Sequence, residues 1–196
     1  MSETKRQIVH AAGILFIFSA FFMEKWLAVI LFADIVVFFF LYGELVKRYK
    51  PVMGFRKFVL FMERKKVRRP FFGALLFYLG CFISFVLFPT RIAAAACSIL
   101  AIGDSLSTIV GLKFGKIKVF NKRTVEGSLA FLGGAFLISL LFVDYKIALI
   151  GAFVGMITEL FGGSTKLKNK AWFIDDNLLI PTISGAAMFL LSLVLL

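Results

Sequence analysis

The chain has 196 residues, 61% of them hydrophobic, with 26 Phe and a mean hydropathy of +0.96. A soluble domain is roughly 45–50% apolar, so this one has too little polar surface to coat a body in water. Its net charge of +12 therefore points to a membrane surface, and no nucleic-acid partner is expected. Cys81 and Cys97 both sit in apolar runs without a partner at metal spacing, which makes them packing residues.

In chain order the apolar runs predict spans at 8–23, 26–46, 70–88, 92–112, 125–143, 147–162 and 178–196. No small-residue cleavage site follows the first, so it reads as a span and not as a removable signal. Of the 23 Lys and Arg, 20 fall in the N-terminus and the 47–69, 113–124 and 163–177 connections. With seven spans those segments share one side, which the positive-inside rule makes cytoplasmic. Between the second and third spans, Phe55, Phe58, Val59 and Met62 share one face among bases. That pattern predicts an interfacial amphipathic helix at about 52–66. The expected fold is an all-α polytopic membrane protein of about seven transmembrane helices with a cytoplasmic N-terminus. The expected location is a membrane, the cell membrane in a prokaryote.

An ionisable side chain inside a span costs roughly 2.5–3.5 kcal/mol on insertion scales, so each one needs a reason. Asp34, Asp104 and Glu159 are such residues, with His10 and Glu126 near span ends. Asp104, Ser107, Thr108 and Gly111 share one helical face, either as a polar site or as a helix–helix seam with Gly115. The stretch Gly103-Asp104-Ser105-Leu106 spells an esterase motif, but the only histidine, His10, lies far upstream. Ser105 is therefore expected to pack or hydrogen-bond locally. The basic 113–124 connection follows, and Thr124 is placed to cap the next helix. Cations beside a helix N-terminus, with glycines allowing close approach, suit phosphate. Asp175 and Asp176 open the last span, with Pro181 in its first turn. They either cap that helix or join Asp104 and Glu159 at Mg²⁺. Phosphoryl transfer to a lipid is the chemistry these parts suggest.

Three blocks carry a family resemblance: Asp104-x-x-Ser107-x-x-x-Gly111-x-x-x-Gly115, Lys122-Arg123-Thr124-x-Glu126-Gly127, and Asp175-Asp176-Asn177-x-x-Ile180-Pro181. Together they resemble the CTP-dependent lipid kinase family, which includes dolichol kinase, phytol kinase and the yeast-type diacylglycerol kinase. The resemblance covers nearly the whole chain from Arg6-x-x-x-His10-x-x-Gly13, and it departs from the family at Gln7, where a basic residue is common. It implies that residues 1–196 form one integral-membrane lipid kinase domain. CTP would be the phosphoryl donor, Mg²⁺ the cofactor and a membrane lipid alcohol the acceptor, with the site on the cytoplasmic side. Carried onto this sequence, the nucleotide site comprises Arg6, Ser107, Gly111, Gly115, Lys122, Arg123, Thr124, Glu126 and Gly127. Asp104, Lys122 and His10 are the catalytic candidates, and Asp104, Glu159, Asp175 and Asp176 the metal candidates. Asp104 either holds the metal or takes the hydroxyl proton; His10 has a site role or a structural one.

Two other readings stay open. One is cytidylyl transfer to phosphatidate, which uses the same nucleotide. The other is a small ion-coupled transporter using Asp34, Asp104 and Glu159, and a protonated or hydrogen-bonded interior carboxyl is the plain alternative for Asp34. Gly151 and Gly155 permit close helix packing within the chain or in a homo-oligomer.

Overall fold

The computed structural model describes residues 7, 10–48, 71–120, 123–162 and 175–195, without the side chains of 46 and 47. Arg6, Lys122 and the expected interfacial helix at 52–66 lie outside the described residues.

Seven helices are present among the described residues: α1 (Ile14–Phe21), α2 (Lys25–Arg48), α3 (Phe72–Leu87), α4 (Thr90–Phe114), α5 (Val125–Ser139), α6 (Tyr145–Gly162) and α7 (Asp176–Leu195). Four of them, α2, α4, α6 and α7, are long and apolar enough to cross a membrane. The other three are shorter than the spans expected from the sequence. Helix α1 begins only after a turn through Gly13. Helix α5 closes at Ser139 in a tight turn, with Phe142 N–H bonded to the Ser139 carbonyl. At 1.5 Å per residue, α3 and α5 reach about 24 and 22 Å, short of a hydrocarbon core of about 30 Å.

The helices alternate in direction. His10, just before α1, meets Phe77 of α3 and Asn177 at the start of α7. At the other end of the bundle, Phe21 closes α1 against Phe142, past the end of α5. Helices α4 and α6 run toward the His10 end, where α5 and α7 begin.

Helix α4 is the axis of the bundle. It touches α1, α3, α5, α6 and α7, and 72% of its apolar window is buried, against 17% for α2. Ala93 to Cys97 are all buried. In lipid there is little hydrophobic drive between helices, so small side chains that let backbones approach supply the packing instead. Midway, Ile99–Asp104 is π-helical, a widened turn often found at functional sites. Gly151 and Gly155 pack inside this body: a methyl at Gly155 would stand 2.8 Å from Ile99 Cγ2 and 3.3 Å from Phe131. The contact is therefore within one chain.

Two expectations change. Helix α7 starts at Asp176, so Pro181 is inside the helix and not in its first turn. Proline has no N–H to return to the Asn177 carbonyl, and that carbonyl faces Gly80 of α3, where any Cβ would overlap it. Asp34 is not an interior carboxyl. It lies on the outward face of α2, exposed, and the described residues give it no hydrogen-bond or ion-pair partner.

Candidate functional site: an arginine held by three carboxylates

Beyond α4, residues 115–120 fold back against residues 123–125 as a small hairpin. Lys118 and Thr124 form an antiparallel bridge, and Val119 N–H bonds to the Arg123 carbonyl. The Glu126 carboxylate accepts the backbone N–H of Lys116 at 3.0 Å and of Ile117 at 3.4 Å, pinning the near strand. Thr124 is extended and its Oγ1 accepts Gly127 N–H at 3.2 Å. It is the N-cap of α5, as its residue type suggests.

Gly111, Gly115 and Gly127 let this cap sit against α4. A methyl at Gly127 would stand 2.9 Å from the Ser107 carbonyl and 3.4 Å from Gly111 Cα. One at Gly115 would overlap Thr124 and the Gly111 carbonyl. These glycines thus form the α4–α5 seam, and that seam sets where the residue before Thr124 points.

That residue is Arg123, and its guanidinium turns inward. Nη1 is 2.5 Å from Glu159 Oε1, and Nη2 is 3.1 Å from Asp176 Oδ2 and 3.7 Å from Asp104 Oδ1. Three helices each supply one carboxylate to this one cation. Ser107 Oγ also donates to Glu159 Oε1 at 2.6 Å. Glu159 is fully buried in the last turn of α6, where the helix dipole disfavours an anion. The arginine and the serine compensate for that placement. Asp176 has the opposite situation, in the first turn of α7 where the dipole favours it. Gly162 makes room for Asp176, because a methyl there would come within 2.5 Å of Asp176 Oδ1. Burial alone pulls the Arg123 pKa down, but Glu159, Asp104 and Asp176 outweigh it and hold the guanidinium above its ordinary value.

Asp175 and Asp176 divide their work. Asp175 Oδ1 accepts Asn177 N–H at 3.0 Å and caps α7, while Asp176 faces the arginine. His10 Nε2 donates to Asn177 Oδ1 at 3.1 Å, and its ring meets the Phe77 edge at 4.7 Å between centroids. His10 is thus tied to the residue next to Asp176. Ser105 Oγ donates locally to the Ala101 carbonyl at 2.7 Å and to the Gln7 carbonyl at 3.1 Å. It is a structural hydroxyl. Asn177 and Gln7 were not among the expected site residues. Asn177 had a signal, since it adjoins Asp176 in the motif; Gln7 was marked only as a departure from the family pattern, and its contact across 98 positions was not legible.

Among the described residues no three of His, Cys, Asp and Glu are placed to hold one metal ion. The carboxylates surround the guanidinium instead. Mg²⁺ commonly takes only one or two carboxylates, with phosphate oxygens and water completing its shell. This hard-oxygen donor set therefore fits Mg²⁺ in kind, and the buried Glu159 Oε2, which lacks a hydrogen-bond partner among the described residues, shows that the cluster has acceptor capacity left.

Comparison with known proteins places the chain. It is 35% identical over 190 residues to the uncharacterized protein MJ1137 of Methanocaldococcus jannaschii, covering 93% of this chain and 91% of that one. The chain belongs to that protein's family. A second relative, the uncharacterized protein RP860 of Rickettsia prowazekii, is 29% identical over 187 residues, 91% of this chain and 89% of its own. A more distant similarity reaches the CTP-dependent diacylglycerol kinase 1 of Schizosaccharomyces pombe, 25% identical over 149 residues, 66% of this chain and 65% of that one. No family model matches the chain, and no solved structure does.

Proposed function

We propose that the chain is a membrane lipid kinase that transfers the γ-phosphoryl group of CTP to a lipid alcohol, on the cytoplasmic side of the membrane. The observation that carries this reading is Arg123 among Asp104, Glu159 and Asp176. It joins the glycine, arginine and aspartate blocks of the sequence into one polar site at a bundle end. The similarity to a CTP-dependent diacylglycerol kinase supports the choice of nucleotide and of a lipid acceptor.

Phosphoryl transfer needs positioning and charge neutralisation more than covalent chemistry. Arg123 binds phosphate oxygens, with Lys122 and Arg6 as further cations from outside the described residues. Glu159, fully buried, is the group that aims the guanidinium. The hairpin glycines and the α5 N-terminus let the nucleotide approach. Of the three carboxylates Asp104 has the most exposed side chain, at 15% against 9% for Asp176 and 0% for Glu159. It is the one placed to accept the hydroxyl proton. The lipid oxygen bonds to the γ-phosphorus as the bond to the β–γ bridging oxygen breaks, and CDP leaves with that electron pair. Asp176, with Asp175 beside it, would hold Mg²⁺, whose charge would offset that of the phosphates.

The test offers the reconstituted protein a panel of lipid alcohols, and phosphatidate, with each nucleoside triphosphate, using CTP labelled at either the α- or the γ-phosphate. The γ label is expected in the lipid. An α label there replaces this reading with cytidylyl transfer, and no label from any pair overturns both. Full activity in a well-folded Asp104→Asn protein removes Asp104 from the proton step.

A further inference from the structure

Asp34 is a charged side chain of an apolar helix that takes no part in the site at Arg123. It is the tenth residue of the 21-residue apolar stretch Lys25–Leu45, roughly 14 Å from one end and 17 Å from the other at 1.5 Å per residue. It is exposed and unpartnered among the described residues. Hydrocarbon, not water, is what surrounds that depth, and intramembrane carboxylates almost always face protein or a polar cavity.

The residues around it form a pattern. Leu27, Ile30, Val37 and Leu41 are 39%, 47%, 53% and 61% exposed, and with Asp34 they fall at i, i+3, i+7, i+10 and i+14. That is the heptad seam of two helices crossing at a shallow left-handed angle. The inner stripe of α2, Ala28, Phe32, Ile35 and Phe39, already packs in the bundle. It lies roughly 140° away around the helix at 3.6 residues per turn, so α2 has a second face ready for another helix.

We propose that this face binds a second copy of the chain, α2 against α2, with the two Asp34 side chains meeting at the two-fold axis. A two-fold contact is isologous, so a residue at the middle of the seam meets its own copy. A carboxyl pair sharing a hydrogen bond satisfies there what lipid cannot. A second copy is the occupant that fits, because from Leu27 to Leu41 the seam is apolar on both sides of a central carboxyl and so complements itself, and Glu44 and Arg48 come only at the end of the helix. No step of this argument uses CTP or the site at Arg123, so it stands or falls apart from the proposed activity.

The experiment uses the full chain in liposomes, with Cys81 and Cys97 replaced by alanine. Single cysteines at Leu27→Cys, Ile30→Cys, Val37→Cys, Leu41→Cys and, off the seam, Phe40→Cys are oxidised in the bilayer. Disulfide-linked dimer is expected from the seam positions and little from Phe40→Cys. In parallel, dimer fraction is read by single-molecule photobleaching for the unsubstituted chain, Asp34→Asn and Asp34→Leu. Interhelical polar contacts in membranes are worth roughly a three- to tenfold change in association. Asp34→Leu should lower it by that much and Asp34→Asn by less. Asp34→Leu removes a charge from a span, so it does not endanger insertion. Cross-links that peak off the seam overturn the proposal. So does a dimer indifferent to Asp34→Leu, or a chain that is monomeric at every density.

Discussion

Arg123 shows how much one side chain can govern here. Three carboxylates are tolerable at the edge of an apolar body because a guanidinium neutralises part of their charge, and breaking such a pair leaves the partner charge uncompensated. The cost is about 3–5 kcal/mol for a fully buried pair, and less here, since the arginine side chain is 21% exposed. Arg123→Met should therefore lower the melting temperature markedly in detergent at pH 8. The deficit should shrink at pH 5, where protons take over part of the neutralisation. Adding Glu159→Gln to Arg123→Met should restore stability, although Glu159→Gln alone should lower it. A double variant no more stable than Arg123→Met contradicts the arrangement. Asp104 and Glu159 were legible in the sequence as costly residues within spans, and Arg123 and Asp176 as charged residues of the connections expected on the same side. That Arg123 faces the carboxylates was not, because the expectation placed cations on phosphate and carboxylates on metal.

Among the elements, the glycines separate those that pack from those that do not. In α3 a methyl at Gly80 would overlap the Asn177 carbonyl and stand 2.9 Å from Pro181 Cγ, while one at Gly73 meets nothing within 4 Å. Gly80→Ala should destabilise by several degrees, because the obstacle is backbone. Gly73→Ala should be neutral or slightly stabilising, by at most about 1 kcal/mol from helix propensity. Thermal unfolding of the two variants, side by side, decides it; equal effects remove the α3–α7 contact as a constraint. Helix order and type were legible from apolar runs and from the cap at Thr124. The π segment was not. Helical periodicity assumes 3.6 residues per turn, and a widened turn breaks the phase between the Ala-rich and Gly-rich halves of α4. The start of α7 was also misplaced by two residues, because Asp176 and Asn177 look like loop by composition while Asp175 caps them into the helix.

For the whole molecule, alternation of the helices matches the charge asymmetry of the connections. If α3 and α5 cross despite their length, Arg91 and Lys146 lie on one side and Lys116 on the other; all three are exposed. In vesicles of known sidedness, an impermeant maleimide should label Arg91→Cys and Lys146→Cys from outside, and Lys116→Cys only after permeabilisation. Labelling of all three from one side refutes the alternating crossing. That the described residues form seven helices was legible from seven apolar runs; the peripheral position of α2 was not, because periodicity shows that a helix has an apolar surface without saying what covers it. One consequence concerns timing. The pair His10–Asn177 joins positions 167 apart, and Asp176 reaches Arg123 from the last helix. A chain is made from its N-terminus, at roughly 5–20 residues per second. Every other part is therefore already synthesised while Arg123 still waits for its third carboxylate, and it is the arrival of α7 that completes the site.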